Sequence, residues 1–151
     1  SDGHFETADG RAKLVCTHWA PFPEQPGGDY PFILNTGRTV EHWHTRTKTK
    51  EVPILERLSP RAWLEMNPRD AKRLRLRSHD SVDVVSRRGR VREVELRLTE
   101  ITAPGQVFMP FHFAETNVNE VTQDAFDPIS REPNYKQCAI RVERSLPGAN
   151  A

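Results

Sequence analysis

Punctuation is what most constrains this chain: apolar runs last only a few residues before Pro, Gly, Asn or Asp interrupts them, and no segment repeats. Such runs are too short for long amphipathic helices but suit strands joined by tight turns. Residues 32–34 read as a first strand, stopped at Asn35-Thr36-Gly37 by a turn in which the glycine permits backbone angles other residues resist. Residues 81–86 alternate as a strand, residues 87–90 form a hairpin turn, and Val94, Leu96 and Leu98 alternate with Glu95 and Arg97 to leave one wet face. Pro104-Gly105 turns the chain into a strand at 107–109, and residues 139–142 supply the last. One short helix is expected over 68–74, because Asn67 is a good N-cap, Pro68 suits the first helical position and Asp70 sits near the positive helix end. The expectation is a mainly β fold with short helices, a small barrel or sandwich.

With 151 residues, 36% of them hydrophobic and 28% charged, the chain suits one globular domain with tails. The stretch from Pro21 to Pro31 is dense in Pro and Gly and reads as extended. Residues 1–29 are therefore assigned to a connector, 30–146 to the folded domain and 147–151 to a tail. A net charge of +1, from 22 basic against 21 acidic residues, gives no broad basic field and argues against nucleic acid as a partner. No apolar run approaches the roughly eighteen residues that membrane insertion needs, and Ser1-Asp2-Gly3-His4 lacks signal-peptide character. A soluble protein is expected, cytoplasmic rather than periplasmic. The absence of an initial Met suits a processed chain or a piece of something larger. Cys16 and Cys138 lie far apart and outside any Cys-x-x-Cys spacing, so they read as buried free thiols rather than zinc or iron–sulfur ligands.

Chemistry concentrates between Thr36 and Thr45. Thr36, Gly37, Arg38, Thr39 and Thr45 bring hydroxyls, backbone N–H groups and one fixed cation, and His42, Trp43 and His44 add polar rings around an aromatic face. That mixture suits an anionic, planar, hydrogen-bond-rich ligand such as a nucleotide-like cofactor. His42 and His44 alternate as metal ligands on a strand would, but no third ligand lies near them in sequence. Each residue also has a plainer reading: Thr36-Gly37 as a turn, Arg38 as a surface charge, Phe111 as core, Asn119 as a turn or cap and Lys136 as a solvated side chain. Asp80, Asp83, Asp124 and Asp127 form no catalytic pair and read as turns and solvated faces. An aspartic protease would need Asp before Thr-Gly, and position 35 is Asn. A non-catalytic barrel that mediates protein contacts stays open, and it predicts no need for Arg38, Asn119 and Lys136 to converge.

Thr36-Gly37-Arg38, His42-Trp43-His44-Thr45, Asn67-Pro68-Arg69-Asp70-Ala71, Ser86-Arg87-Arg88-Gly89, Phe108-Met109-Pro110-Phe111, Asn117-Val118-Asn119 and Tyr135-Lys136 with Cys138-Ala139 occur in that order. Together they resemble the C-terminal molybdopterin-dinucleotide-binding domain of the molybdenum oxidoreductases that carry bis-molybdopterin guanine dinucleotide. The likeness covers nearly all of residues 30–143, and residues 5–13 resemble the connector into that domain. It implies a double-psi β-barrel, aspartate-decarboxylase-like. It places Thr36, Gly37, Arg38, His42, Trp43, His44, Thr45, Asn119, Tyr135 and Lys136 on the cofactor and Phe111 toward the substrate funnel. It assigns this chain no catalytic residue and no metal ligand: the molybdenum ligand and a 4Fe-4S cluster belong to the missing part of the parent, whose upstream catalytic domains are the expected partners. Nitrate reductase is the first expectation for that parent, acting on nitrate, and formate dehydrogenase the second; the piece alone would be inactive.

Overall fold

The computed structural model describes residues 3–146; the proposed tail at 147–151 lies outside the described residues. Six strands carry the fold: β1 (Phe32–Gly37), β2 (Trp63–Met66), β3 (Ser81–Val85), β4 (Arg90–Leu98), β5 (Gln106–Pro110) and β6 (Gln137–Arg144). They close into a barrel in the order β1-β5-β2-β4-β3-β6. The pairs β1/β5 and β2/β4 are parallel and the others antiparallel. This is the mainly β barrel with few short helices that the resemblance implied. Closure leaves no free sheet edge for another chain to pair with.

Strand residues alternate between barrel interior and exterior. Leu34, Leu64, Met66, Val82, Val84, Leu96, Val107, Met109 and Ile140 have no exposed surface and fill the interior. Asp83, expected on a solvated face, is buried on β3, where a bulge between Val82 and Val84 breaks the alternation. Burial pushes its carboxyl pKa up, but Ser145 Oγ at 2.6 Å, the Glu93 N–H at 3.0 Å and Arg90 at 2.8 Å outweigh this and hold it below the ordinary value.

Two helices fill the crossovers, α1 (Pro53–Leu58) and α2 (Pro68–Arg73). The α2 cap is the expected one: Asn67 Oδ1 accepts from the Arg69 N–H at 3.0 Å, with Pro68 in the first turn. Neither α1 nor β2 was expected. β2 is four residues long with Glu65 among them, which is too little pattern to separate from a loop. Cys138 is buried, but Cys16 is exposed, contrary to its reading as a buried thiol. Among the described residues no helix is long and apolar enough to cross a membrane.

Register decides where the loops go. The C-terminal ends of β1, β3 and β5 and the N-terminal ends of β2, β4 and β6 lie at one end of the barrel. Residues 38–62, 86–89 and 111–136 therefore gather there, while α2 and the turn at Gly105 occupy the opposite end. The described residues of the arm before β1 form no strand; the arm reaches the upper hairpin, where Glu24 pairs with Arg87 at 2.6 Å and Arg88 at 2.8 Å.

Candidate functional site

Two backbone bonds join the three segments that matter at the upper end. The Phe111 N–H donates to the Gly37 carbonyl at 3.1 Å, and the Thr36 N–H donates to the Lys136 carbonyl at 3.3 Å. Thr36 Oγ1 also donates to the Tyr135 carbonyl at 2.5 Å, so this buried hydroxyl fastens 135–136 to β1 instead of facing a ligand. Gly37 lies within β1 rather than in a turn, and it is not in the left-handed region. Its lack of a side chain matters for another reason: a β-carbon there would stand 2.6 Å from the Phe108 ring. The turn expected at Gly37 is thus replaced by a close approach of an aromatic side chain.

Beyond Gly37 the loop is polar and partly strained. Arg38 is exposed, and its guanidinium donates to His44 Nε2 at a long 3.4 Å. Trp43, 67% exposed, stands edge-on to His44 with ring centroids 4.7 Å apart. His44 and Arg46 both take positive φ, 45° and 63°, conformations costly for side chains of this kind and concentrated at functional loops. What holds them is buried. Arg46 forms two hydrogen bonds to Glu56, at 2.6 and 3.1 Å, and a third to Glu115 at 2.9 Å. Its guanidinium lies 4.8 Å from the Phe113 ring centre. Hydrogen bonding from Arg46 lowers the Glu56 pKa, as expected for a carboxylate locked to a cation.

His42 and His44, two positions apart in the sequence, part in space. His42 is buried; its Nε2 donates to the Ser59 carbonyl at 2.7 Å and its Nδ1 pairs with Thr49 Oγ1 at 3.0 Å. Both ring nitrogens are therefore engaged within the chain, which makes His42 a brace of the loop and leaves His44 exposed. Thr45 Oγ1 pairs with Thr47 Oγ1 at 2.9 Å. Asn119 and Tyr135 are exposed, and Lys136 Nζ stands 5.0 Å from the Phe111 ring centre. Asn117 is bound up in its own turn, its Oδ1 accepting from the Asn119 N–H at 3.2 Å.

Two clefts result. One of about 410 Å³ is framed by residues 38–44 with Thr49 and Leu55, and the other, about 250 Å³, by Thr45, Phe111, His112, Ala114 and Asn117. His112 was given no role from sequence and Thr39 only that of a hydroxyl in the loop, yet Thr39 Oγ1 and both His112 ring nitrogens are buried without a partner among the described residues. Phe111-His112-Phe113 did hold a clue, since a histidine between two phenylalanines after a strand is apt to be buried. Arg46 offered none, because its acids lie 10 and 69 positions away. A third cleft of about 380 Å³ lies between the arm and Arg87 and Arg88, but Glu24 already occupies both guanidinium groups.

One end of the barrel thus offers cations on Arg38 and Lys136, amides, hydroxyls and an aromatic floor. An orphaned hydroxyl on Thr39 adds to the fit for a phosphate-bearing, hydrogen-bond-rich group. Comparisons with known proteins agree with this chemistry. The model of a family described as "Molydopterin dinucleotide binding domain" matches residues 32–139. The F420-dependent formate dehydrogenase subunit alpha of Methanocaldococcus jannaschii is 42% identical over 140 residues, covering 93% of this chain and 21% of that protein. The chain thus spans about a fifth of the length of that relative. Acetylene hydratase from Pelobacter acetylenicus shares the fold, with a TM-score of 0.66 and 20% identity over 76% of this chain and 18% of that one. A closed barrel, a donor-rich end and a family match over most of its length together show that this chain belongs to the molybdopterin-dinucleotide-binding domain family.

Proposed function

We propose that this chain is the cofactor-binding barrel of a molybdenum-dependent formate dehydrogenase, holding bis-molybdopterin guanine dinucleotide against catalytic domains of the same polypeptide. The observation that carries the choice of parent is the 42% identity over 93% of the chain to a formate dehydrogenase alpha subunit. It moves weight from nitrate reductase, the first expectation, to formate oxidation, the second. When bound, such a cofactor supplies the metal centre at which formate yields carbon dioxide, a proton and two electrons.

The residues of this chain bind and orient. Arg38 and Lys136 would offer positive charge to pyrophosphate oxygens, and Arg38 adds a planar fork. Trp43, His44 and Thr45 present an aromatic edge, an imidazole and a hydroxyl from a backbone that Arg46 keeps in a strained shape. Asn119 and Tyr135 are exposed at the same end of the barrel and would add polar contacts, with Phe111 on the side proposed to face substrate. Thr36, Gly37 and His42 act one step back, because their polar atoms tie strand and loop together. Rigid placement of this kind is what a domain without catalytic groups can contribute to rate.

The test is made on the full-length enzyme. Arg38→Ala should lower its molybdenum and guanine-nucleotide content several-fold while the polypeptide remains folded; wild-type content in the variant would remove the phosphate role. Wild-type enzyme carrying molybdenum but reducing nitrate rather than oxidising formate would keep the domain and replace the parent. Wild-type protein with neither metal nor nucleotide would favour the protein-contact barrel.

A further inference from the structure

We propose that His112 hydrogen-bonds a bound ligand rich in ring nitrogens and oxygens, one imidazole nitrogen donating to a ligand acceptor and the other, which points the opposite way, accepting from a separate donor. This deepens the cofactor reading and rests on it, since pterin and guanine both carry ring donors and acceptors.

His112 is 4% exposed, and neither Nδ1 nor Nε2 has a partner among the described residues. Among the described residues the other buried side-chain atoms in that condition are Thr39 Oγ1 and Ser59 Oγ, so His112 is the residue with two. Buried polar groups are almost always paired, and an exception calls for a reason. The contrast with His42 sharpens it: the two rings lie 5.1 Å apart, yet His42 uses both nitrogens within the chain and His112 uses neither. The ring is held in orientation by Phe113 at 4.5 Å and Phe111 at 6.0 Å between centroids. It also lines the cleft shared with Thr45, Phe111 and Asn117. Burial first, then His42 and Arg46, lower its pKa to about 4, so the imidazole is neutral at physiological pH and has one donor and one acceptor to give. A mere core position would be served better by Met or Leu, which leave nothing unpaired.

The two roles predict opposite orders for two variants of similar volume. In the full-length enzyme, His112→Gln keeps a donor and an acceptor, and His112→Met has neither. Bound guanine nucleotide and molybdenum per polypeptide, measured after gel filtration, should fall about tenfold in His112→Met and stay within about twofold of wild type in His112→Gln. A shifted molybdenum reduction potential in His112→Gln would assign the contact to pterin; nucleotide loss in His112→Met without any such shift would assign it to guanine. Full cofactor content and an unchanged potential in His112→Met, with His112→Gln the less heat-stable of the pair, would overturn the proposal. Should His112→Met not accumulate, His112→Ala decides by the same measurements: lost cofactor supports the contact and retained cofactor sinks it. Wild-type enzyme without cofactor would instead refute the underlying function.

Discussion

At Gly37 and Gly89 a missing β-carbon matters for different reasons. Added at Gly37 it would meet the Phe108 ring at 2.6 Å, and a ring at the end of a side chain can swing away. Added at Gly89 it would meet the Glu120 carbonyl oxygen at 2.5 Å, which moves only if backbone moves. Overpacking costs about 1–3 kcal/mol, so Gly37→Ala should lie near the low end and Gly89→Ala near the high end in denaturant titration. Phe108→Leu should rescue the first and leave the second unchanged. His112 gives a pH prediction. Its folded pKa of about 4 is below its ordinary 6.5, so the unfolded chain binds a proton that the folded chain refuses between those values. Stability from this residue is present above pH 6.5 and falls as pH drops toward 4, by about 1–2 kcal/mol at pH 5. Melting temperatures recorded from pH 7 to 5 should decline less in His112→Gln, and equal slopes would remove the neutral buried imidazole as the cause.

At the scale of elements, α2 works as a clamp on the lower end of the barrel. Asn67 caps it and also donates through Nδ2 to the Thr102 carbonyl at 2.8 Å, while the buried Asp70 accepts from the Gly105 N–H at 2.6 Å. Gly105 takes φ +81° to make that turn, and its carbonyl receives the Ile33 N–H at 2.9 Å. One helix thereby sets the start of β5 and the start of β1. Asp70→Ala should cost about 1.5–3 kcal/mol, the range for a hydrogen bond to a charged group, and hydrogen exchange at Gly105 should rise with it. A loss below 0.5 kcal/mol would mean the turn is held by the strands alone. This helix was legible in sequence because Asn67, Pro68 and Asp70 act on their immediate neighbours. β2 was not, since its place depends on pairing with β4 and β5, and its Glu65 breaks the apolar pattern that would have marked it.

For the whole molecule, the arm is tied to the barrel chiefly through Glu24, whose carboxylate meets Arg87 and Arg88 and whose carbonyl accepts from Gln137 Nε2 at 2.7 Å. Glu24→Gln should increase proteolytic cutting within residues 10–23 several-fold without changing the melting temperature of the barrel; unaltered cutting would show that other contacts hold the arm. The candidate site is likewise a product of long-range closure. The donor types between Thr36 and Thr45 were readable, because composition alone decides which bonds a side chain can make. Their directions were not: Thr36 reaches Tyr135, 99 positions away, and His42 turns inward to Ser59. The amino-acid order by itself determined five of the strands, the capped helix and the polar chemistry of the loop, all of which rest on residues a few positions apart. Closure of the barrel alone decided that 38–49, 111–119 and 135–136 meet at one end, that His42 is satisfied, and that His112 is buried with both nitrogens unpaired, because those outcomes depend on register between strands far apart in the chain.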